Sequence, residues 1–406
     1  MRTPTISVCL SLILFGCDAF AEDWPQYRGS ERTGISSEAV SVEKGTVREI
    51  WRTDLGLGYA GIVVHEGKVW TTGHGKKKEG EDLLFCFQAD TGELLWDYAY
   101  PQALGDLYFQ GGTTGSPSVY GERVYVMARE GEVICLEAET GTVVWEMNLM
   151  KDLGLAKPTW GFTGAPMLHQ DLLLLTAGDG GVALNPETGA VIWNSGTAEA
   201  GYSTPHVFRR EGDDLLLLSE KRGYVCVVPE TGEEQWRHKW LTRYGVNAAD
   251  PIVRGNEIFL SSGYGKGATL LRWDEGAAEP VTVWKNREMR NQMNPSVLVG
   301  DFLYGIDGNE GVDGTGLKCL EWSSGTTRWL QSDVGHGSVL GADGGKQLIV
   351  LSERGELMVG ATSPDGFEAQ LRHSILKGTC WTLPTLANGR IYARNAKGTL
   401  VCVVVE

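Results

Sequence analysis

Short apolar runs recur along the chain, and several lead into the same phrase. Val133-Ile134-Cys135-Leu136 is followed by Ala138-Glu139-Thr140-Gly141-Thr142-Val143-Val144-Trp145. The phrase returns as Ala89-Asp90-Thr91-Gly92 running to Trp96, as Pro186-Glu187-Thr188-Gly189 running to Trp193, and as Pro229-Glu230-Thr231-Gly232 running to Trp236. A worn copy, Ser323-Ser324-Gly325, runs to Trp329. Each apolar run reads as a strand. The Thr-Gly pair reads as a tight turn, because glycine supplies φ > 0 without steric cost. An outgoing strand then ends on tryptophan, so the unit is a hairpin with a large aromatic at a fixed place.

The period gives the architecture. Tryptophans stand at Trp51, Trp96, Trp145, Trp193, Trp236, Trp284 and Trp329, with gaps of 45, 49, 48, 43, 48 and 45 residues. A repeat of that length with four short strands is a propeller blade. Trp284 keeps the period although its turn, Gly276-Ala277-Ala278-Glu279-Pro280, has lost the phrase. A further unit has Asp365-Gly366 at its turn and Gln370 at the place of the tryptophan. The last strand, Leu400 to Val405, stops where a Thr-Gly turn is due, and an unpaired strand, Val47 to Trp51, waits at the other end. The fold class is therefore all-β: an eight-bladed β-propeller of four-stranded antiparallel blades, its ring closed by the N-terminal strand. Closure removes the exposed sheet edges. One domain spans residues 45–406, and the seven tryptophans are structural.

Residues 1–21 read as a signal peptide, with Arg2 before an apolar run from Ile6 to Phe15 and a small-x-small site at Ala19-Phe20-Ala21. That run is too short to span a bilayer. Export to the periplasm or beyond follows, with a lipid anchor at Cys17 as the competing reading. Residues 22–44 carry Trp24 and Tyr27 and are expected to pack on the propeller. The formal net charge of −16 opposes nucleic acid as a partner, since phosphate recognition needs clustered Lys/Arg. Cys86, Cys135, Cys226, Cys319 and Cys402 fall at one equivalent place in five different blades, too far apart to bridge; with Cys380 they are expected to remain buried thiols.

The chemistry-bearing positions lie where the repeat breaks. Each innermost strand opens with a small or polar residue and usually a proline, as in Thr204-Pro205, Asp250-Pro251 and Asn294-Pro295. Proline is tolerated at a strand start or on an edge. This places Tyr202, Asn247, Asp250, Gln292, Asn294, His336 and Trp381 at or near the mouth of a central funnel. Other chemistries find little support. There is no Gly-x-Ser-x-Gly elbow and no His-Glu-x-x-His. Gly263-Tyr264-Gly265-Lys266-Gly267 has no helix behind it and reads as a turn between strands. The stretch from Asp307 to Asp313 is spaced like the start of a calcium loop, but Lys318 occupies the place of the closing glutamate.

The phrase resembles the tryptophan-docking motif of pyrroloquinoline quinone (PQQ)-type propeller repeats, which implies that each tryptophan packs on the turn glycine of a neighbouring blade. Trp24-Pro25-Gln26-Tyr27-Arg28-Gly29, Gly201-Tyr202-Ser203-Thr204-Pro205, Ala249-Asp250-Pro251 and Cys380-Trp381-Thr382 extend the likeness to the exported PQQ-like repeat proteins abundant in planctomycetes. Two functions are implied. One is a non-catalytic binding or scaffold propeller for a protein, peptide or glycan partner, monomeric and without a cofactor, like the outer-membrane assembly lipoprotein of Gram-negative bacteria. The other is an oxidoreductase using PQQ with calcium, for which Asp250, Asn247 and Asn294 would supply oxygen ligands and Trp381 or Trp160 a stacking surface. The dehydrogenases' adjacent-cysteine disulfide has no counterpart here.

Overall fold

A computed structural model describes residues 22–309 and 311–406. The signal-peptide and Cys17 readings lie outside these residues. Eight four-stranded antiparallel sheets follow one another around a ring. Blades 1 to 7 run Val63–Pro101, Ser118–Asn148, Met167–Asn194, His206–Lys239, Ile252–Asn286, Val297–Gln331 and Ser338–Ser374. Blade 8 takes its three inner strands from Thr385–Val405 and its outermost from Val47–Asp54. That closing pair runs from Val47 opposite Val405 to Asp54 opposite Thr399.

The core lies between sheets rather than within them. The two middle strands of a blade are buried on both faces, as in Leu172–Leu175 and Val182–Leu184. Tyr125, Met127, Val133 and Cys135 of blade 2 pack against Leu173, Leu175, Val182 and Leu184 of blade 3 in one cluster. The outermost strands are half exposed. Five of their tryptophans sit directly opposite a cysteine of the third strand: Cys86 faces Trp96, Cys135 faces Trp145, Cys226 faces Trp236, Cys319 faces Trp329 and Cys402 faces Trp51; Trp193 and Trp284 face Ala183 and Leu270. All six described cysteines are free and buried.

Each tryptophan reaches across to the next blade. The ring of Trp96 covers Gly141, and those of Trp51, Trp145, Trp193 and Trp284 cover Gly92, Gly189, Gly232 and Gly325. A Cβ on Gly141 would fall 2.5 Å from the Trp96 ring, and its φ is +69°, so two constraints select glycine. The indole N–H groups of Trp51, Trp96, Trp145 and Trp193 donate to the carbonyls of Ala89, Ala138, Pro186 and Pro229 at 2.8–3.1 Å. In blade 7 the place of the tryptophan belongs to buried Leu371, opposite Val359, not to exposed Gln370. The blade that Leu371 faces joins strands from opposite ends of the chain. No Thr-Gly turn connects them, so there is no dock to fill.

Residues 22–44 cross the end of the ring where the first and second strands of each blade are joined. Trp24 exchanges backbone hydrogen bonds with Val64 of blade 1, and the Pro25 carbonyl accepts from Val119 N–H of blade 2. Ser36 and Gly34 bridge to Gly341 of blade 7, and the Glu38 carboxylate accepts from the Asn388 and Gly389 N–H groups of blade 8. Arg28 donates through Nη2 to the carbonyl of Ser296, the residue that leads into blade 6, at 3.0 Å. Arg32 donates to Pro205 O of blade 4. The segment thus ties six blades together and closes the channel from that side.

Candidate functional site

The connections that lead from the outermost strand of one blade to the innermost of the next gather on the opposite face. They surround a cavity of about 260 Å³ on the ring axis. Its floor includes Tyr27 of the crossing segment, and its walls carry Tyr59, Tyr108, Phe109, Trp160, Tyr202, Tyr264 and Trp381. Their rings are in contact. Tyr59 stacks on Trp381 with centroids 5.3 Å apart and planes at 23°, and Trp160 meets Tyr202 edge-on at 5.9 Å. Tyr59 also meets Phe109, and Tyr108 leans on Trp160 from the rim. The connection carrying Tyr108 and Phe109, residues 102–117, is anchored by Arg129 on the Ala103 carbonyl and by Trp160 Nε1 on Leu107 O.

Polar groups are few and directed. Asp250 keeps some surface open to the cavity, yet lies deep enough that burial raises its carboxyl pKa; Arg28 and Arg32 oppose that rise, as does the Thr204 N–H, which donates to Oδ1 at 2.8 Å. Asn294 donates through Nδ2 to the carbonyls of Trp381 and Gly337 at 2.8 and 3.2 Å. Gln292 donates through Nε2 to the Tyr264 hydroxyl at 3.1 Å. Burial pushes the Tyr202 phenol up to about 12, so it stays protonated at neutral pH.

Of the residues singled out in the sequence, Tyr202, Asp250, Gln292, Asn294 and Trp381 line this cavity together, and so does Trp160. Asn247 does not. It is fully buried, donating to Glu220 O and accepting from Ser262 Oγ, because its side chain is needed to join blades 4 and 5. His336 does not line it either. Its ring stands edge-on behind Trp381 at 5.4 Å, and burial lowers its pKa to about 4. Sequence reasoning missed Tyr27, Tyr59, Tyr108, Phe109 and Tyr264 as wall residues. The available signal was aromatic residues in connections outside the repeat phrase.

The other candidate motifs are structural. Gly263–Lys266 is a turn between the strands Glu257–Ser262 and Gly267–Arg272. Asp307 is fully buried and pairs with Arg290 at 2.7 Å and with Lys318 at 2.6 Å. The lysine at the position where a calcium loop needs glutamate is thus the counter-ion of the loop's first carboxylate.

Comparison with known proteins agrees with this architecture. By sequence the chain matches no curated protein. In structure it is similar to BamB from Moraxella catarrhalis, at 16% identity and a TM-score of 0.63, covering 88% of this chain and 98% of that one. It is similar to a europium-containing methanol dehydrogenase at 12% identity and a TM-score of 0.68, covering 94% and 98% of the two chains. It is also similar to the quinohemoprotein alcohol dehydrogenase of Comamonas testosteroni at 14% identity and a TM-score of 0.62, covering 94% and 80%. At such identities the likeness concerns the fold, and fold does not assign function. The model of the PQQ-like repeat family described as outer membrane protein assembly factor BamB matches residues 36–200 and 106–331, more than half of the chain, which therefore belongs to that family.

Proposed function

We propose that this chain is an exported, monomeric binding propeller that seats a ligand in its aromatic funnel and turns the surrounding connections toward a protein, peptide or glycan partner. The observation that carries this reading is the funnel itself. Chemically distinct side chains converge on one concave site, the setting in which ligands are usually held, and Tyr27 and Arg28 close it from beneath. The leader-like residues 1–21 support export, with a lipid anchor at Cys17 as the competing reading. The similarity to BamB, named for its part in outer membrane protein assembly, supports a scaffold role.

The dehydrogenase neighbours motivate a second reading, PQQ with calcium. The donor set fits it poorly. Among the described residues no three His, Cys, Asp or Glu side chains converge as metal ligands. Asn247 is committed to Glu220 and Ser262, which leaves Asp250, Asn294 and Gln292 as carboxylate and amide oxygen donors where Ca²⁺ takes six to eight oxygens. No catalytic step is assigned.

The test places a photo-crosslinking amino acid at Tyr108 on the funnel rim, and at Val283 on the outer wall as control, in the exporting host. A discrete adduct from position 108 and none from 283 is expected. Equal labelling from both positions would defeat the funnel as the binding face. Dye-linked alcohol oxidation after reconstitution with PQQ and calcium, lost in Asp250→Ala, would overturn the non-catalytic reading.

A further inference from the structure

We propose that the funnel seats a compact organic cation with N–H donors, a guanidinium or primary ammonium group of the kind an arginine or lysine side chain presents, with the Asp250 carboxylate as its counter-charge. The inference rests on the reading of the funnel as a ligand seat and names the chemistry of the ligand.

Three observations converge on it. The first is charge. Apart from tyrosine phenols, Asp250 is the ionisable side chain in the wall, and among the described residues it forms no ion pair within 4.0 Å, the nearest influences being the charges of Arg28 and Arg32. Arg28 lies under the floor rather than in the cavity, with Nε and Nη2 donating to the carbonyls of Arg32, Thr33 and Ser296. Arg28 and Arg32 act on this carboxylate only from beyond ion-pair distance and leave burial the larger influence, so a cation in direct hydrogen-bond contact would offset the remaining cost of taking it from water.

The second observation is the direction of the hydrogen-bonding groups. The Asn294 amide must turn Nδ2 toward two carbonyls, which fixes Oδ1 as its free end. The Gln292 amide spends Nε2 on Tyr264, and its buried Oε1 has no partner. Asp250 Oδ1 takes the Thr204 N–H and leaves Oδ2. Beside hydroxyls that can donate or accept, the wall thus presents three oxygens that can only accept, Asp250 Oδ2, Asn294 Oδ1 and Gln292 Oε1, which suits a ligand made of donors. Guanidinium and ammonium groups carry donors and no acceptor, whereas an anion or a polycarboxylate quinone would face the carboxylate with like charge.

The third is the aromatic enclosure. Trp381 with Tyr59, and Trp160 with Tyr202, set ring surfaces around the same space. Cations are drawn to such faces, more strongly when desolvated. A neutral apolar ligand would account for the rings but not for the carboxylate and the oriented amides.

The experiment uses purified mature protein with three probes: butylguanidinium, its neutral isostere butylurea, and methyl β-cellobioside as a bulkier glycan probe. Binding is read by calorimetry and by tryptophan fluorescence. Butylguanidinium should bind at least about tenfold more tightly than butylurea, as expected for charge-assisted over neutral hydrogen bonds. Asp250→Asn, which keeps an oxygen for the Thr204 N–H, should abolish most of that difference. If that variant fails to fold, the comparison of the two isosteres on the unaltered protein decides alone. Equal affinity for the isosteres, or binding of the glycoside but not the cation, overturns the cation assignment and leaves the funnel as a ligand seat. No response to any probe also overturns it, and the rim crosslinks then decide separately whether the funnel binds anything.

Discussion

The outer belt and the inner funnel are built from the same residue types to opposite ends. In the belt, tryptophan recurs in seven of the eight blades, and Trp51, Trp96, Trp145 and Trp193 each pack on the next blade's turn glycine and donate the indole N–H to a carbonyl beside it. In the funnel, Trp160 and Trp381 occur once each, keep part of their surface open and touch other aromatics rather than a glycine. Repetition marks what the ring needs in order to close. Its absence marks what the ring does not need, and there the chain is free to place a ligand's contacts.

The sharpest test of this contrast is truncation in the belt. Trp145 is buried, docks on Gly189 and donates to Pro186 O at 2.8 Å. Trp145→Ala should cost about 3–5 kcal/mol, as for other large-to-small changes in a core. Trp160→Ala, in the funnel, should cost markedly less. Denaturant midpoints read both, and equal losses would dissolve the distinction.

Next in size is a pH effect from behind the funnel. His336 is 2% exposed, and burial lowers its pKa to about 4 against a partial rise from Glu353. The folded protein thus holds it neutral, while the unfolded chain protonates it near pH 6.5. Between those values the unfolded state binds the extra proton, so stability falls as pH falls through the window and levels off below it. The loss is on the order of 3 kcal/mol. His206 shifts the same way, to about 3, through burial and then the charges of Arg28 and Arg32. Urea midpoints between pH 7 and pH 4 should fall less steeply in His336→Gln than in the unaltered protein. Parallel curves would mean that His336 is accessible to protons in the fold.

The belt was legible in the sequence and the funnel only half so, for physical reasons. A docked tryptophan is fixed by period, turn and strand, three signals that agree at Trp96, Trp145, Trp193 and Trp236. Where the turn changed length, in blade 7, counting failed by one and gave Gln370 for Leu371. Every outer strand carries a register shift beside its tryptophan site, as between Val359 and Gly360, and such bulges cannot be counted from composition. In the funnel, the strand-opening prolines located Asp250 and Asn294. Asn247 lies four residues before Pro251 and His336 two before the strand Ser338–Ala342, and their side chains turn into the wall, a choice set by Ser262 and Trp381 from neighbouring segments. Tyr59 and Tyr108 lie on long connections without a period, so their convergence depends on the closed ring.

A smaller effect tests the belt against itself. Trp236 keeps the period, but the blade it faces has lost the Thr-Gly phrase, and its Nε1 has no hydrogen-bond partner. It packs instead edge-on to Trp273 at 5.6 Å. Phenylalanine at Trp193 would leave the Pro229 carbonyl without its 2.8 Å donor, whereas at Trp236 no bond is lost. Trp193→Phe should therefore cost about 1 kcal/mol more than Trp236→Phe, the usual net worth of a buried hydrogen bond. Thermal midpoints measured side by side check this, and the reverse order would show that shape, not the N–H, governs the dock.

The smallest expected change in stability lies at Tyr108, and it separates the two regions most cleanly. This side chain is 85% exposed, and its backbone has φ +66°, a left-handed conformation uncommon for a bulky residue. Asparagine is better tolerated there, so Tyr108→Asn should shift stability by no more than about 0.5 kcal/mol, either unchanged or upward. Local folding thus gives no reason for a tyrosine at this position. The rim does, since the ring leans on Trp160 with centroids 6.5 Å apart and borders the cavity. If cations enter past it, removing the ring should weaken butylguanidinium binding about two- to fivefold, the worth of a single exposed cation–π contact. Calorimetry and thermal melts on the same variant read the two quantities independently. A clear loss of stability without a change in affinity would assign Tyr108 to the framework, and the boundary between belt and funnel would then lie deeper, at Trp160 and Tyr202.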